Sequence, residues 1–355
     1  MLLFRYDRID FFRGVVILDM MLVHYSKYLT LGDGNSAVSR LIGYTDIAVE
    51  GFIFLFGFMI GIVYYRKFIT SRKNVILRLL RRILQILCIH YIMILSIILP
   101  LWLIAENPVN PNFGLSEYLY RSFLLLTQPP LLHILPTFIP LLILAIPTLF
   151  LFEMGCEVFV VFLSLFAFVV GNIDPYILNV GEKTIFPIIL WQIYFVFGAV
   201  LGKRASIKIT RSELGWKRYL PISICWFAVM AFIYHGHHAF EWVDGFREKF
   251  HIVVSKFPLN VFGLMYHGAL LVISFALIDI FYVRIVKFRA VANSVILMGR
   301  NSFTSFVIHI YFAELIYIMS HLKYISLSGA YGLIALNIFF TLIFLRYLEN
   351  KKQYK

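Results

Sequence analysis

Residues 131–152 read LLHILPTFIPLLILAIPTLFLF, 22 positions without an aspartate, glutamate, lysine or arginine. A helix rises about 1.5 Å per residue, so such a block reaches across the roughly 30 Å of a bilayer's hydrocarbon. Blocks of this kind recur along the whole chain. Of its 355 residues 61% are hydrophobic and 14% charged, with a mean hydropathy of +0.85, which leaves no room for a sizeable soluble domain. The runs are continuous where barrel strands would alternate, and in lipid only a helix satisfies its own backbone over such a run. The expected fold is all-α, a polytopic membrane protein with about ten spans over 11–29, 46–65, 79–101, 131–152, 157–171, 186–202, 219–235, 259–283, 294–320 and 328–348. Residues 117–127 form too short a segment for an eleventh span and suit a re-entrant or interfacial helix. Residues 1–350 are expected to form a single transmembrane domain and 351–355 a short cytoplasmic tail. The first block lacks an evident signal-cleavage site and is read as a retained helix.

The basic residues orient these spans. They gather at Arg5, Arg8 and Arg13, at Arg66 to Arg82, at Lys203 to Arg218, at Arg284 to Arg289, and from Arg346 to Lys355, five places that hold 23 of the 32 lysines and arginines. In a ten-span count all five fall on one side, and the positive-inside rule makes that side, with both termini, cytoplasmic. The net charge of +13 then reflects orientation and anionic lipid, not nucleic acid. Connections on the other side, such as AENPVNPNFGLSEY and NIDPYILNVGEKT, are rich in Asn, Pro, Gly and aromatics, which suits a neutral glycan or an ordinary interfacial belt. Cys88, Cys156 and Cys225 are odd in number and far apart, so neither a disulfide framework nor a CxxC metal pair is implied.

One block departs from the apolar pattern. In RIDFFRGVVILDMMLVHYSKY, residues 8–28, Arg13 and His24 are eleven positions apart, about three turns, so they share a helix face about 16 Å apart along the axis. Asp10 lies on that face and Asp19 well round from it. Ionisable groups at such depth are costly and mark function by default, although a satisfied neutral histidine and a snorkelling arginine explain them more simply. The second block, YTDIAVEGFIFLFGF, brings Asp46 and Glu50 one turn apart at a helix start. Asp46 suits a helix cap, and Glu50, about 6 Å deeper, suits the carboxylate partner that would make His24 a general base.

These stretches resemble the opening of the acyltransferase-3 superfamily, whose first helix carries an arginine, ten residues and a histidine. RIDFFRG and TDIAVEGFIFLFG are closer to its OpgC-type branch, the periplasmic-glucan succinyltransferases. TQPPLLHILPTFIPLLILAIP, WQIYFVFGAVLG and MGRNSFTSFVIHIYF resemble later family blocks, so the likeness spans most of the chain. The resemblance implies a multi-pass protein of the bacterial inner membrane that moves an acyl group, succinyl or acetyl, from cytoplasmic acyl-CoA to hydroxyls of a periplasmic or envelope glycan. Acyl-CoA is a co-substrate, and no permanently bound cofactor is implied. His24 is then the essential histidine and Arg13 its paired basic position, and Glu50 and Asp46, by their own placement, are the candidate catalytic carboxylates beside it. Arg78 and Arg81 match an RxxR pair expected near the CoA phosphates, and His309 matches a late histidine. Phe56 departs from the family, which commonly has a small residue before that glycine, and Val23 stands where the branch often has Asp or Asn.

Further candidates come from position alone. Arg300 is placed to add to the CoA clamp, and Asp10 to join the family-matched His309 along the substrate path; Gln128 and His133, which flank a double proline, suit the lining of an outer cavity or simply the start of the fourth span. His235, His237 and His238, near Glu241, have zinc-like spacing but suit an interfacial turn better. Trp191 and Gln192 suit interfacial anchoring. From a different class, Asp19, His24 and Glu50 could form the relay of a proton-coupled carrier. Nothing in the sequence addresses oligomeric state.

Overall fold

A computed structural model describes residues 7–29, 43, 45–98, 114–127, 132–178, 186–208, 218–236, 240–321 and 327–353. Its long elements are helices: α1 (Asp7–Leu29), α2 (Ala48–Thr70), α3 (Arg72–Met93), α4 (Leu115–Phe123), α5 (Ile134–Glu153), α6 (Glu157–Ile173), α7 (Ile188–Lys208), α8 (Leu220–His235), α9 (Glu241–Lys249), α10 (Val261–Ile285), α11 (Arg289–Arg300), α12 (Ser302–His321) and α13 (Leu327–Gln353). Among the described residues, six helices are long and apolar enough to cross a membrane, over Ala48–Thr70, Arg72–Ile97, Ile134–Glu153, Ile188–Ser206, Val261–Ile285 and Gly332–Lys351. Glu157–Ile173, Leu220–His235 and Ser302–Ile316 are apolar but shorter. Helix α1 has the length, but its charged side chains set it apart.

The helix boundaries correct the sequence reading in two places. The span expected over 294–320 is two helices, α11 and α12, which part at Asn301. Asn301 turns its own side-chain NH2 back to the Leu297 carbonyl at 3.1 Å, and the hydroxyl of Ser305 donates to the Met298 and Asn301 carbonyls, each at 3.2 Å. A polar residue that answers the local backbone with its side chain competes with the helix, and here it ends one. Residues 66–78, left between the spans expected over 46–65 and 79–101, are almost wholly helical. They occupy the end of α2 and the start of α3, which are joined through Ser71. The short segment expected at 117–127 is the nine-residue helix α4, which buries Tyr118 and Ser122.

The chain divides into two compact units: Met1–Phe52 with Glu213–Ile224 and Leu270–Lys355, and Ile53–Ser212 with Cys225–Ala269. In the first, α1 lies along α11 so closely that a Cβ at Gly299 would stand 1.7 Å from the Asp10 carbonyl oxygen, and one at Gly14 2.0 Å from that of Val295. Only glycine at both positions lets the two backbones meet. Helix α1 also packs on α12, and α12 on α13. Phe12 stacks on Phe275 with centroids 5.1 Å apart, and Phe11 meets the edge of Tyr282 at 5.5 Å. Behind this apolar layer a buried chain of hydrogen bonds runs from Thr341 to Asn337, at 3.1 Å, and from Asn337 to the phenol of Tyr25.

In the second unit α2 and α7 pack through two small-residue motifs of one spacing, Gly57 with Gly61 and Gly198 with Gly202, where a Cβ would approach the facing carbonyl to between 1.9 and 2.2 Å. Helix α2 widens into a π turn over Ile60–Tyr64 at this contact. Gln192 of α7 is a lock rather than an interfacial anchor: its carbonyl accepts from Ser164 Oγ at 2.7 Å and its NH2 donates to the Ser164 carbonyl at 2.9 Å. Lys203, only 3% exposed, donates to the Phe152 carbonyl at the end of α5, pairs with Glu157, and lies over the ring of Tyr65 at 4.8 Å. A cation at a helix carboxyl end, ringed by aromatic faces, is stabilised by the helix dipole and the π quadrupole together.

Candidate functional site

The polar residues of α1 converge, within the first unit, on α11, α12 and the start of α2. His24 Nδ1 stands 3.0 Å from His309 Nε2, with the rings stacked at 5.2 Å between centroids and 19° between planes. His309 is fully buried, its far side closed by the edge of Phe306 at 5.2 Å, whereas His24 is half-buried. At 3.0 Å one ring donates and the other accepts, so the shared position holds one proton. When His24 supplies that proton, its Nε2 is the unprotonated ring nitrogen, the form of a general base. If Nε2 then takes up a proton, the imidazolium still donates through Nδ1 to a neutral acceptor. The orienting contact expected from a carboxylate is, at Nδ1, made by a second imidazole.

Glu50 is fully buried within the first turn of α2. Asp46 accepts the Ala48 N–H at 2.9 Å and so caps that helix, as its position at a helix start suggested. Asp19, which has no evident partner in the sequence, accepts the Ile47 N–H at 3.0 Å and ties the same helix start to the middle of α1.

The arginines divide sharply. Arg13 Nη2 donates to Ser302 Oγ at 2.5 Å, and its Nη1 lies 3.4 Å from Asp10. Arg300 meets Asp7 at 2.7 Å, Asp10 at 3.5 Å and Glu349 at 3.8 Å, so the candidate for the phosphate clamp is already surrounded by three carboxylates. Arg8 likewise pairs with Asp279 at 2.9 Å and lies over Tyr282. Asp10 therefore belongs to an ionic seam between α1 and α11. Arg78 and Arg81, in the second unit, are exposed on α3 and form no ion pair among the described residues.

Other sequence candidates fall in the second unit or outside the described residues. His133 precedes α5, with its Nδ1 buried. Phe56 fills space against Phe138 at 5.2 Å and Phe195 at 5.6 Å, a place where a small residue would leave a hole. Trp191 is fully buried beside Phe186 and Phe257. His235 stands edge-on to Tyr234 and Tyr266. Gln128, His237 and His238 lie outside the described residues, and among the described ones no trio of His, Cys, Asp or Glu is arranged to hold a metal.

Comparison with curated protein sequences and with solved structures returns no match. The family model described as OpgC protein covers residues 5–351, nearly the whole chain, and this membrane-type helical protein belongs to that family.

Proposed function

We propose that this chain is a membrane-bound O-acyltransferase of the acyltransferase-3 kind, moving an acyl group, succinyl first among candidates, from cytoplasmic acyl-CoA to hydroxyls of a periplasmic glucan in a bacterial inner membrane. Membership of the OpgC family supports the reaction class. The observation that carries the chemistry is the nitrogen-to-nitrogen contact between His24 and His309. The lone pair of His24 Nε2 takes the proton of a sugar hydroxyl while that oxygen attacks the thioester carbonyl; the C–S bond breaks, the His24 imidazolium returns the proton to the leaving sulfur, and CoA departs as the thiol. His309 keeps His24 in the required tautomer and accepts its second N–H as charge develops. Arg78 and Arg81, exposed and without carboxylate partners among the described residues, are the arginines suited to the CoA phosphates. Arg13 positions α1 through Ser302 and Asp10 and so sets the His24 face.

The test is transfer of label from acyl-CoA to glucan in inverted membrane vesicles. His24→Ala removes transfer while the protein stays in the membrane; undiminished transfer in that variant refutes the assignment. Movement of an unmodified solute driven by a pH gradient, with no label on glycan, would instead identify a carrier.

A further inference from the structure

A second group of buried polar side chains lies in the second unit, and neither the His24–His309 chemistry nor the fold uses it. His90, on α3, is fully buried, and neither of its ring nitrogens has a hydrogen-bond partner among the described residues. His133 stands at the start of α5, the helix against which α3 packs, close enough to His90 for the two rings to interact electrostatically. Its Nδ1 is also buried without a partner. Helix α4 joins the group: Tyr91, next to His90, donates its hydroxyl to the Phe123 carbonyl at 3.0 Å and lays its ring 5.0 Å from that of Phe123. Ser122, the neighbour of Phe123, has a fully buried hydroxyl that likewise finds no partner. His90 lies toward the end of α3 opposite to Arg78 and Arg81.

Orphaned polar atoms in an apolar interior are penalised unless something answers them. The chemistry of these atoms narrows what that is. A neutral imidazole offers one donor and one acceptor, and a serine hydroxyl offers both, so the set is mixed and uncharged. Among the described residues no arginine or lysine belongs to it, which disfavours a phosphate or carboxylate, and no carboxylate belongs to it, which disfavours a cation. A partly exposed aromatic pair, Tyr91 and Phe123, adjoins it. Donors and acceptors in equal measure beside an aromatic face match the hydroxyls and C–H face of a sugar ring.

We propose that His90, His133 and Ser122 form a saccharide-binding subsite between α3, α4 and α5. The identity of the sugar as a glucan unit rests on the acyltransferase reading, whereas the binding itself does not. The probe is a tetramer of β-linked glucose titrated calorimetrically onto the purified full chain in detergent, with no acyl-CoA present. The wild type binds it, and His90→Phe and His133→Phe, which keep ring volume, each weaken binding about tenfold, as expected for one lost buried hydrogen bond. Ser122→Ala, the gentlest change, weakens it less. The same variants unfold at the wild-type temperature or above, since an orphan has been removed. No binding by the wild type, or equal binding by both histidine variants, overturns the subsite and shows that water alone answers these groups. Retained transfer in His24→Ala would remove the acyltransferase reading and leave the titration unaffected.

Discussion

His24 and His309 lie 285 positions apart in sequence and meet at 3.0 Å, while His90 and His133, on helices that pack together, keep three buried ring nitrogens without a partner among the described residues. The first pair is joined ring to ring and shares one proton, although His309 Nδ1 is also buried with no hydrogen-bond partner among the described residues. The second is open, so its chemistry waits for a molecule from outside. The arginines repeat the contrast, with Arg8, Arg13 and Arg300 each facing a carboxylate and Arg78 and Arg81 facing none among the described residues. A closed polar group organises structure or runs a reaction, whereas an open one is poised to bind. Depth in the sequence does not separate these cases, but partners do.

Four changes bear on that contrast, beginning with the greatest expected effect. If the first pair acts as a unit, His309→Leu lowers acyl transfer at least about 100-fold, and combining it with His24→Ala lowers it no further than the worse single variant. Additive losses in labelled-glucan assays would mean that the rings act separately. Next, Gly299→Ala drives a methyl into the Asp10 carbonyl and should destabilise the protein by about 2–4 kcal/mol in thermal unfolding. Gly268→Ala, at a helical position with open space around the added carbon, should be neutral or mildly stabilising. Equal melting temperatures for the two would deny the α1–α11 contact. Third, replacing Arg78 and Arg81 together by alanine raises the apparent KM for acyl-CoA about tenfold with little loss of stability. Arg300→Ala does the reverse, because it leaves Asp7, Asp10 and Glu349 facing one another; a KM effect from Arg300 alone would reverse the assignment. Least in size, His90→Phe changes unfolding free energy by no more than about 1 kcal/mol, in the stabilising direction. A large destabilisation would show that His90 already has its partner.

Much of this was legible in the chain itself, and the exceptions share a cause. Apolar blocks announced helices because a span needs about 20 consecutive residues. Asp46 announced a cap because capping is local, and His24 stood out because an imidazole in an apolar run is rare. What stayed hidden depends on residues far away in sequence. No pattern near His24 names His309, and none near Arg300 names Asp7, Asp10 and Glu349. Asp19 looked isolated because its partner is a backbone N–H, which every non-proline residue possesses and no sequence distinguishes. The paired spacing of Gly57 with Gly61 and Gly198 with Gly202 was a readable signal of close helix packing, as was the Gly-Arg-Asn run that ends α11.

The bond from Ile47 N–H to Asp19 has a mechanical meaning. Asp19 sits about 7.5 Å along α1 from His24, and Ile47 immediately precedes the helix that carries Glu50, so this bond helps to set the relative height of the two segments. Severing it by Asp19→Leu would keep every reactive group and let the ruler slip. The expected signature is a protein of nearly normal stability in which turnover falls while acyl-CoA affinity holds.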